Sequence, residues 1–530
     1  MKCVSKKNVF VLFLLLVFTG VSGSESVSAL TENKDIFKNQ ELTKSLRVDQ
    51  GCQLSAYENY YRQWRNHTVI KDNTLKFLES NGHDTSKIDK QNYKQPNISF
   101  CFSGGGYRAM ISCLGFMLAA QETNLINTAM NVATLSGSAW LMAPMMVRKL
   151  FPDQYKPILK KRVRFHMFEL SRLGYNSIGK KLLDQLFSSR DVQFVDVWGA
   201  LIADALMGDM GKDYAQEVSF KNVQDCLKES ANYPFPIFTA AITPDKAISR
   251  KLIFDRNLKQ MRRVVYTSKK KRKQWRYDYE WMEINPFNSG SDYLTGFVDT
   301  NEFGSPFSNG ICKKVYPEMS LGSFMGLCGS AYSLSLGDVL RIITENVSVP
   351  FISSIIEFMM SSRNNLKQRF LPAEFNNFAY NLGGSPASYL DELILEDAGF
   401  AFNLPIPPLL RQKRDTNIII ACDASKGAYK PGYKELALAA AYAKRKNLKF
   451  PDITKPTKVS ENFAIFEDEK DPTVPTVIYF SNSEEFSFDT LKLDYNDKEF
   501  EDLCGFMQKH VANHSKDIAD VIAKRSGLVV

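Results

Sequence analysis

Short apolar runs, each stopped by glycine or another small residue and followed by a helical stretch, set the pattern of this chain. Ile98 to Phe102 is a short apolar run of strand length, and Gly104-Gly-Gly106 interrupts it. Tyr107 to Thr123 then reads as a helix, with Met110, Leu114, Met117 and Leu118 on one face. The unit repeats at once. Val132 to Leu135 is a second short strand that ends at Ser136, and Ala139 to Leu150 reads as the next helix. Further strands are predicted at Leu393–Leu395, running into Asp397-Ala-Gly399, at Asn417–Cys422 and at Pro475–Phe480. Lys434 to Asn447 is a clear helix, rich in alanine and lysine. Strands that alternate with helices in this way imply an α/β fold with parallel members in its sheet.

The flanks read differently. Residues 24–95 are polar and helix-like, and Tyr57, Tyr61 and Trp64 fall at helical spacing, as a packing stripe would. Val349 to Met360 is apolar with little polar relief and fits either a core helix or a lid that meets lipid. No internal repeat and no Pro/Ser/Gly-rich linker divides the chain.

Composition adds compartment and partners. With 530 residues and 44% hydrophobic content, the chain can bury a large core. Lys2, Lys6 and Lys7 precede the apolar run Val9–Phe18, which is too short to span a bilayer, and small residues follow at Val21 and Gly23. Residues 1–23 are therefore expected to be a signal peptide, with a signal anchor as the alternative, and the mature protein to be secreted or lumenal. Four glycosylation sequons, at Asn66, Asn97, Asn346 and Asn513, agree with that route. Eight cysteines remain beyond Cys3, an even number that permits disulfides, and Cys312–Cys328 is the expected pair. Buried free thiols are the other reading. No Cys/His cluster suggests zinc, so no metal is expected. The net charge is +9, densest at Lys269-Lys-Lys-Arg-Lys273 beside Trp275 and Arg276. Such a run suits an anionic lipid surface or a solvated loop. Nucleic acid is not expected as the partner of a secreted chain.

Three segments carry candidate chemistry. Ser136, at a strand end with Gly137 and Ser138 behind it, can be a nucleophile on a tight turn or merely a helix cap. The glycines of Ser103-Gly-Gly-Gly-Tyr-Arg108 expose backbone N–H groups that can surround an oxyanion, and no lysine follows at nucleotide-loop spacing. Arg108, at the start of the helix, has the fork geometry for a phosphate. The histidines His67, His83, His166, His510 and His514 do not sit at strand ends beside small residues. Asp397 does, and can serve either as a base or as a turn aspartate.

Together these segments resemble the group IV cytosolic phospholipase A2 and fungal phospholipase B (lysophospholipase) family of patatin-like acyl hydrolases. Ser103–Met110 resembles its oxyanion loop, Leu135–Trp140 its nucleophile turn and Asp397–Pro407 its aspartate segment. Phe235–Thr239, Glu280–Pro286, Glu302–Ser305 and Gly329–Tyr332 follow the same order, over residues 96 to 530. The resemblance implies a mixed central sheet flanked by helices with a cap region, in a catalytic domain spanning 96–530 behind a helical segment 24–95. It implies hydrolysis of carboxylic esters in glycerophospholipids or lysophospholipids, with Ser136 as nucleophile and Asp397 as base. It also implies that Gly105 and Gly106 form the oxyanion hole, that Arg108 binds the substrate phosphate and that no cofactor is needed. Contact with a membrane surface is expected. Thr134 departs from the pattern, standing where the family usually has glycine, so a strained or shifted turn is expected there. The segment before residue 96 lacks the acidic loops of a calcium-binding C2 domain. The competing readings are a Ser–Asp–His esterase using Ser136, Asp423 and His510 or His514, and a catalytically dead lipid-binding homologue.

Overall fold

The central strands are buried along their whole length because both sheet faces are covered. Ile98–Phe102 and Ile418–Asp423 are buried at every position. The computed structural model describes residues 47–51, 53–86, 93–167, 193–255, 260–330, 369–370 and 372–528. The stretch Val349–Met360 and the residues read as a signal peptide lie outside them.

Leaving aside three two-residue strands, the strands in chain order are β1 (Asp49–Gln50), β2 (Ile98–Phe102), β3 (Ala129–Thr134), β4 (Phe235–Ile242), β5 (Ile248–Asp255), β6 (Gln260–Ser268), β7 (Glu280–Ile284), β8 (Asn288–Ser291) and β9 (Gly296–Asp299). They continue as β10 (Ala373–Asn376), β11 (Glu392–Asp397), β12 (Ile418–Asp423), β13 (Lys458–Ser460), β14 (Phe463–Phe466) and β15 (Thr476–Ser481). Thirteen of the described strands form one mixed sheet, ordered β1-β9-β8-β7-β4-β3-β2-β12-β15-β14-β13, with β10 and β11 joined to it beside β4. Its middle, β4-β3-β2-β12-β15, is parallel, and antiparallel strands extend both edges. The hairpin β5–β6 belongs to a separate small sheet.

One departure from a simple order positions the site. The first half of β4 pairs with β3, and its second half pairs with the antiparallel β11. Thr134, the last residue of β3, faces Phe238, while Asp397, the last residue of β11, faces Ala240. Two strands of opposite direction thus end two β4 residues apart, about 7 Å at strand rise.

Helices α1 (Ala56–Arg65), α2 (Gly106–Glu122), α3 (Gly137–Val147), α4 (Phe194–Met207), α5 (Lys269–Gln274), α6 (Leu321–Cys328), α7 (Lys434–Arg445) and α8 (Asp497–Asn513) flank this sheet or its connections. Helix α4 crosses α6 with no side chain between them. A Cβ on Gly199 would lie 2.5 Å from Gly322 C and 2.9 Å from Ser323 N. That close crossing fixes the end of α6, which touches the site.

Residues on both sides of the boundary expected at 95 and 96 fall in one compact unit, Arg47–Val530. Arg414 shows why. It is fully buried, holds Glu58 of α1 through Nε at 2.7 Å and Nη2 at 2.9 Å, and holds Glu283 of β7 through Nη1 at 2.5 Å. Helix α1 is therefore tied to the central sheet. Tyr61 does pack in the core, with Trp64 partly buried against it. The expected Cys312–Cys328 disulfide is corrected, since both are free thiols. The Cys328 thiol is buried at the end of α6, and Cys312 Sγ donates to Lys314 O at 3.4 Å. Of the sequons, Asn66 and Asn513 are exposed, whereas Asn97 donates its side-chain amide to Arg414 O at 2.5 Å.

Candidate active site

Ser136 leaves β3 in a conformation that side chains rarely adopt, with φ 51° and ψ −125°. It occupies the N-cap position of α3, yet its hydroxyl makes no capping bond. Ser138 does the local work instead. Its Oγ donates to Phe102 O or Leu135 O, at 2.8 and 2.9 Å, and accepts from Leu135 N at 3.1 Å. The turn is thereby tied to the end of β2, and the Ser136 hydroxyl stays available for chemistry.

Thr134 needs no glycine in this arrangement. It is the last residue of β3, and its carbonyl accepts from Thr239 Oγ1 at 2.9 Å. The turn anticipated as strained at Thr134 places its positive φ at Ser136.

The glycine loop abuts the nucleophile turn backbone to backbone. A Cβ on Gly137 would overlap Gly106 O and stand 2.8 Å from Gly106 C. Gly105 and Gly106 have φ of 139° and 62°, which suits glycine, and Gly106 opens α2. The first amides of a helix have no intrahelical acceptor, so this end presents N–H donors beside Ser136.

Asp397 is fully buried. Its Oδ1 accepts Gly399 N at 2.8 Å, which caps the short turn Ala398–Phe400. The carboxylate thus fills the turn role through one of its two oxygens. The end of α6 reaches both halves of the pair: Ser136 N donates to Cys328 O at 3.0 Å, and Asp397 N is 3.1 Å from Ser330 Oγ.

Asn403 escaped the sequence reading, although it lies inside the aspartate segment. Its Nδ2 donates to Gly104 O at 2.9 Å and to Ser425 Oγ at 2.6 Å, while Gly104 N donates back to Asn403 O at 3.3 Å. A Cβ on Gly104 would lie 2.6 Å from Asn403 Oδ1 and 2.8 Å from Ser136 Cβ. A Cβ on Gly399 would lie 3.1 Å from Asp397 Oδ1 and 3.2 Å from Asn403 Oδ1. Asn403 therefore stands between the three segments and fixes the glycine loop. An amide followed by Leu-Pro-Ile-Pro was the one available signal, and nothing local distinguishes it from a loop asparagine.

Arg108, expected to contact the substrate phosphate, is bonded to the protein itself. It is buried, with Nε donating to Ala424 O at 2.6 Å, Nη1 to Phe488 O and Nη2 to Thr490 Oγ1 at 3.3 Å. A Cβ on Gly105 would stand 2.7 Å from Arg108 Nη2, so the guanidinium braces the glycine loop from behind.

The histidine triad is not assembled. His510 Nε2 bonds Asn462 O at 3.0 Å, and His514 Nε2 bonds Ser460 Oγ at 3.3 Å, on the β13–β14 side of the sheet. Burial pushes the pKa of both below the usual histidine range. Asp423, the carboxylate such a triad would need, bonds Ser425 N at 2.9 Å and Tyr479 OH at 2.8 Å.

Asp423 still affects the site through Ser425 and Asn403. Burial and the neighbouring Glu435 charge push its pKa from 3.8 up to about 6. A raised carboxylate favours folding below its unfolded pKa, and that favour is lost as pH rises from about 4 through 6, roughly 3 kcal/mol in all. Asp423→Asn is expected to remove this slope, so that its melting temperature gains on wild type as pH rises across that window. Parallel melting curves of the two proteins over pH would refute the assignment.

Comparison with known proteins bears on the family and the fold. The family model for the lysophospholipase catalytic domain matches residues 98–252 and 263–459. Human cytosolic phospholipase A2 epsilon is 24% identical over 475 residues, covering 74% of this chain and 48% of the relative. The chain thus spans about half the length of that protein. The fold is similar to human GIVD cytosolic phospholipase A2, with a TM-score of 0.68, 17% identity and coverage of 91% of this chain and 66% of the other. A second structure of that protein, in complex with methyl gamma-linolenyl fluorophosphonate, gives 0.63 at 17% identity, with the same coverage. The match runs through the glycine loop, the Ser136 turn and the Asp397 segment alike, and the chain belongs to the lysophospholipase catalytic domain family.

Proposed function

We propose that this protein hydrolyses the carboxylic ester bonds of glycerophospholipids or lysophospholipids through Ser136 and Asp397. The observation that carries the reading is the meeting of β3 and β11 on β4, which sets the two residues at converging strand ends beside the glycine loop. Asp397 takes the Ser136 proton as Oγ attacks the acyl carbonyl carbon. The carbonyl oxygen becomes an oxyanion facing the Gly105 and Gly106 amides. Collapse breaks the ester C–O bond, and the proton passes from Asp397 to the departing glycerol oxygen. Water then attacks the acyl-serine, gives a proton to Asp397 and releases free fatty acid as Ser136 regains its hydroxyl.

A fluorophosphonate probe tests the nucleophile directly, and the GIVD relative is itself seen in complex with an inhibitor of that class. Wild type is expected to become labelled and lose turnover, and Ser136→Ala to show neither labelling nor turnover above about a thousandth of wild type. Labelling of Ser136→Ala at the wild-type rate would sink the proposal.

Substrate arrives from a lipid surface, and α5 offers a docking face. Lys270 and Lys273 are exposed, Lys246 Nζ lies 4.9 Å from the Trp275 ring centroid, and Tyr277 is exposed nearby. Removing either lysine is expected to weaken sedimentation with anionic vesicles about fivefold at low salt. Equal binding of Lys270→Ala/Lys273→Ala and wild type to those vesicles would refute the docking role.

A further inference from the structure

Glu396 and Asp397 are neighbours at the end of β11, so their side chains leave opposite faces of the strand. Asp397 turns to the site. Glu396 turns away, is fully buried and is held by four donors. Its Oε1 accepts Thr267 Oγ1 at 2.9 Å and Arg272 Nη2. Its Oε2 accepts Tyr279 OH at 2.8 Å and Thr243 Oγ1 at 3.1 Å.

Arg272 is the buried member of the basic run. It does not join the solvent-facing lysines but reaches inward, and its guanidinium carbon lies 3.6 Å from the centroid of the Phe400 ring. Phe400 closes the turn that follows Asp397. Arg276 adds a third hold, with Nε donating to Ala401 O at 2.5 Å. One short segment, from Lys269 to Asp278, thus grips the chain just before Asp397 and just after it. The Asp397 charge is close enough to act on Arg272.

Such a pair is a costly way to fill space. Burying two charges takes solvation from both, and apolar residues of the same volume often serve stability as well or better. Its place on either side of the base suggests a role beyond packing. We infer that Arg272 is a positioning residue for the reaction: by pairing with Glu396 and stacking on Phe400, it holds the backbone around Asp397 so that the carboxylate stays aimed at Ser136. This rests on the Ser136–Asp397 reading.

The test uses a soluble short-chain p-nitrophenyl ester, so that vesicle docking plays no part, and measures melting temperature, kcat and KM. Arg272→Met strands the Glu396 charge and is expected to lower both melting temperature and kcat. Arg272→Met/Glu396→Gln removes the stranded charge, and its melting temperature is expected to recover. Its kcat is expected to stay about 10- to 100-fold low with KM nearly unchanged, because a misaimed base costs turnover rather than binding. Phe400→Leu keeps the ion pair and loses the stack, and is expected to lower kcat while melting near wild type. The inference is overturned if the double variant regains kcat along with its melting temperature. It is equally overturned if Phe400→Leu turns over at the wild-type rate, a result that decides the matter should the double variant not fold. Failure of the underlying dyad has a separate signature, wild-type turnover by Ser136→Ala.

Discussion

Asp397→Asn is expected to lower kcat by about 10³- to 10⁴-fold in a protein that melts close to wild type. The substitution is nearly isosteric. An asparagine Oδ1 can still accept Gly399 N, so the turn after residue 397 keeps its cap. What it loses is the capacity to take a proton. The two late histidines are not candidates to replace it, because His510 and His514 are engaged at Asn462 and Ser460. The expected companion result is that His510→Gln/His514→Gln retains nearly full turnover. Steady-state kinetics of these variants, with circular dichroism to confirm folding, decides the point. Substantial turnover by Asp397→Asn, or its loss in the histidine double variant, would remove the dyad from the mechanism.

The second large effect is steric. Gly137→Ala would drive a methyl group into the peptide of Gly106, 2.8 Å from its carbon and 2.9 Å from its nitrogen. Those atoms are backbone, not the end of a flexible side chain, so relief requires the nucleophile turn and the glycine loop to separate. Both are tightly held, the turn by Ser138 and the loop by Asn403. Overpacking at a rigid contact costs about 1–3 kcal/mol of stability or more. The catalytic loss is expected to be larger, at least about 100-fold in kcat, since a donor displaced by about 1 Å no longer meets the oxyanion. Normal turnover by Gly137→Ala would show that the two loops are not the catalytic cradle.

Much of this architecture was legible before any fold was known. Strands β2, β3, β12 and β15 and helices α2, α3 and α7 fall within a few residues of their expected bounds, because each is marked by a local change from an apolar run to small residues to a helical face. Strand β8 was not legible. Its sequence Asn288-Ser-Gly-Ser291 carries no apolar signal, and it is a strand only because its neighbours pair with it. The polar segment around α1 looked separable because its charges suggest solvent. Arg414 takes Glu58 into the core, which no local pattern announces.

The sequence alone determined the chemical inventory: a serine on a strand-to-helix turn, a glycine loop able to present amides, and an aspartate before Ala-Gly. Those features depend on backbone freedom and residue type within a few positions, which a sequence states outright. Only the tertiary structure decided which of them meet. The shared register on β4 ends the strands that lead to Ser136 and Asp397 two residues apart, while Arg108 and Asn403 hold the glycine loop because of the faces on which they landed. Register and facing are set by the packing of distant segments against one another, and that energy belongs to no single stretch of chain.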